Sequence, residues 1–163
     1  MGVALLVGGD LVRADVERMR DTGMTPEDVA EKGKLVLRRW IERYRPDVLA
    51  VEDAYFAQSK GSRPLRRLIQ ALLTVGRQEG LAVRTYLPMT VRRRVCPEGR
   101  PTRRAVARVI AMERFRWLAP YYERDAGKAW WRKRYWTPLF DAVAVGLVCQ
   151  EELTSKPARR NAA

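Results

Sequence analysis

Histidine occurs nowhere in the 163 residues, and its absence removes His general bases, Ser-His-Asp triads and histidine-ligated zinc centres together. Cysteine is nearly as scarce. Cys96 and Cys149 stand alone, with no Cys-x-x-Cys spacing for zinc or redox chemistry, and read as inert thiols of a reducing cytosol. No apolar run is long enough to cross a bilayer. The apolar start Val3-Ala4-Leu5-Leu6-Val7 is too short for a secretion signal and lacks its basic leader, so the expected location is cytoplasmic. Lysine is sparse too: only six of the 32 basic residues are lysines, which leaves 26 arginines against 19 acidic residues.

The resulting formal charge of +13 points to a polyanion as partner. Arginine's planar fork suits bidentate phosphate contacts and stacking, so nucleic acid fits this balance. With histidine gone, phosphodiester chemistry falls to carboxylates holding Mg²⁺ or Mn²⁺, for which aspartate and glutamate suffice as ligands.

The stretch that points most directly to such chemistry is Arg45-Pro46-Asp47-Val48-Leu49-Ala50-Val51-Glu52-Asp53-Ala54-Tyr55-Phe56. Residues 48–51 are too short an apolar run for a helix and read as a buried strand. Such a strand delivers Glu52 and Asp53 to the sheet edge, where open α/β sheets bind ligands. On residues alone the pair equally begins a solvated loop.

Gly8-Gly9-Asp10 predicts a hairpin between residues 2–7 and 11–16. Thr25-Pro26-Glu27-Asp28 opens a helix whose face carries Gly33, Leu37, Trp40, Ile41 and Tyr44, and Arg45-Pro46 closes it. Residues 64–78 predict an amphipathic helix with Leu65, Leu68, Ile69, Leu72 and Leu73 on one stripe and Arg66, Arg67, Gln70 and Arg77 away from it. Residues 81–87 read as a strand compatible with parallel pairing. A basic element at 89–95 and a turn at 97–101 follow, and Arg103 and Arg104 then open a helix carrying Val106, Val109, Ile110 and Trp117. Arginines at 92, 93, 94, 100, 103 and 104 are a phosphate-binding set in this reading, with Arg66 and Arg67 as a further basic face.

Between residues 119 and 136, Tyr121, Tyr122, Trp130, Trp131, Tyr135 and Trp136 alternate with Arg124, Lys128, Arg132, Lys133 and Arg134. These rings either stack bases or fold back on the core. Thr137-Pro138 begins a last, nearly all-apolar helix in which Asp141 is the only charge before Glu151. Its simplest role is to complement the helix dipole. Residues 1–153 are expected to form one domain, with a disordered basic tail at 154–163.

Three of these segments, in this order, resemble the RuvC-type Holliday junction resolvases of the RNase H-like superfamily. They are Pro46-Asp47-x-x-Ala50-Val51-Glu52-Asp53-x-Tyr55-Phe56, Tyr86-x-Pro88-x-x-Val91-Arg92-x-x-Val95-x-x-x-Gly99-Arg100-x-x-Arg103-x-x-Val106, and Asp141-Ala142-x-Ala144-Val145-x-Leu147. The resemblance implies an RNase H-like mixed sheet flanked by helices and a homodimer acting on four-way DNA junctions in recombination and repair. It implies Mg²⁺ or Mn²⁺ at Glu52 and Asp141, with Asp53 as a further ligand. Arg92 and Arg103 would lie at the scissile strand, Arg103 as a catalytic residue.

Two departures accompany it. Met1-Gly2-Val3-Ala4-Leu5 looks like the family's second strand, so the first, aspartate-bearing strand is missing, and neither Asp10 nor Asp15 is placed to replace it. Pro138 stands where the family has another carboxylate or a histidine. The expectation is a chain written from an internal start, or else an inactive variant that binds branched DNA without cleaving it.

Overall fold

Thr25 Oγ1 accepts the Asp28 backbone N–H at 3.1 Å while Asp28 Oδ2 accepts that of Thr25 at 2.8 Å, the reciprocal pair that starts the first helix, α1 (Pro26–Tyr44). In this computed structural model, which describes residues 1–19, 23–53, 63–126 and 135–155, the chain divides into two compact units. One comprises Met1 and Val16–Thr90; the other joins Gly2–Asp15 to the chain from Val91 onward.

In the first unit, α1 ends at Arg45, whose left-handed backbone (φ 44°) turns the chain into Pro46. β3 (Val48–Glu52) follows, then α2 (Arg63–Gln78) and β4 (Ala82–Tyr86). The two strands pair in parallel from Val48 opposite Ala82 to Glu52 opposite Tyr86. Val29 and Leu37 of α1 pack with Leu68, Leu72 and Val75 of α2 around Met19. The helices approach closely because Gly33 has no Cβ: one added there would collide with Leu68. Gly76 does the same for α2 against Leu49 of β3, 2.6 Å from where its Cβ would lie. Leu65, expected on the buried stripe, is instead 49% exposed in the first turn of α2.

The second unit begins with the predicted hairpin, β1 (Gly2–Val7) and β2 (Asp10–Val16). Gly8 and Gly9 both have positive φ, as the tight two-residue turn requires. α3 (Pro88–Val95) leads from the first unit into the second, and α4 (Arg103–Val109) follows, capped by Thr102. A π-helical turn over Ile110–Arg114 and a 3₁₀ turn over Arg116–Leu118 lead into α5 (Ala119–Ala126). Trp117, predicted on the helix that Arg103 and Arg104 open, lies instead in the 3₁₀ turn and is 49% exposed.

α6 (Thr137–Ser155) contributes more to this core than any other element, through Leu139, Phe140, Val143, Ala144, Val145, Val148 and Cys149. It lies along β1, where Gly2 admits the Pro138 backbone and Gly146 admits Leu6. The helix continues two residues into the expected disordered tail: the Thr154 hydroxyl donates to Gln150 O at 3.1 Å, as helical threonines do.

The expected mixed α/β architecture is therefore present as a hairpin, a parallel pair and six α-helices among the described residues. β1, and β3 up to its terminal Glu52, are apolar, the pattern of strands covered on both faces, yet each residue of β3 stays half-buried. No described helix is long and apolar enough to cross a membrane.

Candidate functional site

Asp141 is the fifth residue of α6, past the first turn where a carboxylate would complement the helix dipole. Its countercharges come from elsewhere in the sequence. Arg103 Nε at the start of α4 lies 3.5 Å from Asp141 Oδ2, and the Arg92 charge on α3 also acts on it. Burial nevertheless outweighs both arginines and raises the Asp141 carboxyl above its ordinary pKa. The aspartate side chain is 20% exposed and that of Arg103 55%, so the guanidinium faces solvent while the carboxylate is largely covered.

Glu52 ends β3 opposite Tyr86, where the strand reading placed it. Asp53 follows directly, and its backbone N–H donates to Tyr86 O at 2.8 Å, which extends the ladder by one residue. Successive strand side chains point to opposite faces, so this pair does not form a chelate by adjacency. Tyr55 and Phe56, the rest of that motif, lie outside the described residues.

The expected DNA-binding arginines separate into engaged and open groups. Arg94 is clamped by two carboxylates of α6, with Nη2 at 2.9 Å from Glu151 Oε2 and Nη1 on Glu152. Arg67 pairs with Glu27 within the first unit. A phosphate would meet either one in competition with its carboxylates. Arg93, Arg100 and Arg104 are exposed in the second unit and Arg66 in the first, and none of the four makes an ion pair among the described residues.

The described part of the aromatic segment folds on itself and on α6. Tyr121 and Trp136 have ring centroids 4.4 Å apart, Tyr135 meets Trp136 edge-on at 4.9 Å, and Tyr122 meets Phe140 edge-on at 6.4 Å. Trp130, Trp131, Lys128, Arg132, Lys133 and Arg134 lie outside the described residues. The sequence did not reveal Asp125. It is 6% exposed and accepts the Trp136 backbone N–H at 2.7 Å, which ties the end of α5 to the start of α6. Nothing in its local sequence distinguishes it from a solvated helix-end acid.

No protein-family model and no curated protein matches the sequence. Solved structures do match. A Thermus thermophilus RuvC in complex with a Holliday junction substrate superposes with a TM-score of 0.64 at 18% identity, over 94% of this chain and 87% of that one. The chain has a RuvC-type fold. A second Thermus thermophilus RuvC structure agrees, with a TM-score of 0.61 at 18% identity over 89% of this chain and 80% of that one.

Within the RuvC-type fold, the carboxylates form a thin donor set. No three His, Cys, Asp or Glu side chains among the described residues cluster to hold a metal ion. Mg²⁺ takes six oxygens in near-octahedral geometry, more than Glu52 and Asp53 of the first unit, or Asp141 of the second, supply by themselves.

Proposed function

We propose that this chain acts on four-way DNA junctions as a structure-selective endonuclease of the RuvC kind, working as a homodimer on a two-fold substrate. The observation that carries the reading is Asp141. It is a largely covered carboxylate paired with Arg103 and within electrostatic reach of Arg92, in a chain that shares its fold with a protein solved on a Holliday junction. In this reading Glu52 and Asp141 are the carboxylates for Mg²⁺ or Mn²⁺, with Asp53 as a further ligand. The missing oxygens are left to the DNA phosphate. Arg103 meets the phosphate and Arg92 supplies positive potential beside it, while Arg93, Arg100, Arg104 and Arg66 track the backbone. Cleavage would then separate DNA strands during recombination and repair.

One observation favours a second reading, junction binding without cleavage: the described carboxylates do not assemble into a metal-holding group. A labelled four-way junction incubated with the chain in Mg²⁺ or Mn²⁺, beside Glu52→Gln and a linear duplex, decides between the two. Junction-specific nicking that Glu52→Gln abolishes supports the endonuclease. Tight, junction-selective binding that is indifferent to metal and unchanged in Glu52→Gln supports the second reading. Equal affinity for junction, duplex and RNA hairpin ends both.

A further inference from the structure

Val106, Ile110 and Trp117 would share one face of an uninterrupted α-helix, the face that carries the core. The chain departs from that period. Phe115 N donates to Ile110 O at 2.8 Å, which closes the π-helical turn, and Leu118 N donates to Phe115 O at 2.8 Å, which closes the 3₁₀ turn. Ile110, Ala111 and Leu118 are fully buried on either side, yet Trp117 is left 49% exposed. The ring is therefore held out by an anchored turn, and π turns within helices recur at functional sites.

Trp117 also differs from the other described tryptophans. Trp40 packs on Tyr44 and Trp136 on Tyr121 and Tyr135, whereas Trp117 meets no other ring among the described residues. Its neighbours in the chain are basic. Arg108, Arg114 and Arg116 are exposed and make no ion pair among the described residues, and Glu113 is the one acid between 108 and 120. No other large hydrophobic residue of that stretch is exposed. A single ring is too little for a lipid surface or a protein-binding patch, which need contiguous apolar area. A ring with guanidinium groups beside it suits a flat group joined to anions.

We infer that Trp117 is a stacking platform for an unpaired base of a DNA strand, with Arg114 and Arg116 on the neighbouring phosphates. The inference rests on the reading of the chain as a junction-acting protein and deepens it. Arg103 begins α4 and Trp117 lies past its end, so the ring takes a base away from the phosphate presented to Asp141. In a duplex the faces of the bases already stack on one another, so the platform favours DNA with unpaired bases, as at an open branch point. Every base has a π-face, so the preference is for structure and not for sequence.

The test is a titration of the chain in EDTA with an oligothymidine single strand, a linear duplex, a fully paired four-way junction and a junction with unpaired thymidines at the crossover. Oligothymidine should quench the tryptophan fluorescence of the unaltered chain, and Trp117→Phe should lose most of that quench while it keeps the affinity. Trp117→Ala should bind the single strand and the unpaired junction about tenfold more weakly, as loss of one stacked base does, with duplex affinity unchanged. Arg114→Ala and Arg116→Ala should each reduce the single-strand slope of log K against log salt by about 0.7. Should Trp117→Ala not fold by circular dichroism, the Trp117→Phe quench carries the test. A full quench in Trp117→Phe, or unchanged single-strand affinity in Trp117→Ala, overturns the platform, and a preference for junction over duplex then leaves the junction reading standing. A Trp117-dependent preference for the single strand with no preference for either junction over duplex keeps the platform and overturns the junction reading. Self-association that Trp117→Ala dissolves, with DNA binding unaltered, gives the ring to a protein contact and overturns the platform.

Discussion

Arg103 Nε and Asp141 Oδ2 lie 3.5 Å apart, and the pair joins the first turn of α4 to the second turn of α6. Burial raises the Asp141 carboxyl against the pull of Arg103 and Arg92, so the folded state resists ionising it. The stability this confers is complete below the ordinary carboxylate value and is lost as pH rises through the raised one. At neutral pH the charged side chain costs stability, as functional carboxylates commonly do. Asp141→Asn should therefore raise the neutral-pH Tm, about 2–4 °C for a gain of about 1 kcal/mol, with the difference vanishing toward pH 4. Arg103→Ala should lower it. Thermal melts across pH check both, and an Asp141→Asn variant less stable at pH 7 than at pH 4, relative to the unaltered chain, would refute the assignment.

Arg93 and Arg94 are neighbours in sequence and should behave differently on DNA. Arg94 is held by Glu151 and Glu152, and its side chain is 33% exposed, so Arg94→Ala should cost about 0.5–1 kcal/mol of stability. It should leave the salt dependence of junction binding unchanged. Arg93→Ala should hardly affect the melt and should reduce the slope of log K against log salt by about 0.9, the loss of one phosphate contact. Titrations at several salt concentrations separate the two. Equal slopes would remove Arg93 from the interface.

Gly2 should tolerate no side chain. A Cβ there would collide with the Pro138 carbonyl and lie 2.9 Å from the Leu139 nitrogen, and backbone cannot step aside as a side-chain end can. Gly2→Ala should cost about 3 kcal/mol, roughly 6–12 °C in Tm. Gly146→Ala meets only the end of Leu6 and should cost less. Denaturant melts rank the pair, and the reverse order would mean that β1 does not seat against the first turn of α6.

Removing Asp125 should leave the Trp136 backbone N–H without its acceptor. Asp125→Ala should destabilise by about 1 kcal/mol, the cost of leaving a part-buried donor without its acceptor. The exposed Glu123→Ala on the same helix should change stability by no more than about 0.5 kcal/mol. Tryptophan fluorescence during unfolding reports both, and an Asp125→Ala melt matching that of Glu123→Ala would show that the N–H finds another partner.

Local chemistry made most of the elements readable in advance. Gly8-Gly9 demands a tight turn, Thr25-Pro26-Glu27-Asp28 starts a helix, and the apolar run of 48–51 is too short for anything but a strand. Each signal acts within a few residues, so sequence spacing carries it. Leu65 and Trp117 escaped this logic because helical periodicity shows which residues share a face, while the neighbouring elements decide how far along the helix that face is covered.

The candidate site divides along the same line. Sequence by itself determined the charge balance, the absence of histidine, the carboxylate at the end of β3 and Asp141 as the one charge of the last helix before Glu151, because composition and short-range pattern are properties of the chain. Only the tertiary structure decided that Asp141 answers to Arg103, 38 positions away, that Arg94 belongs to Glu151 and Glu152 while Arg93 faces solvent, and that Asp125 holds the Trp136 N–H. Charge and burial act through space, and folding brings together groups whose sequence separation carries no trace of the contact.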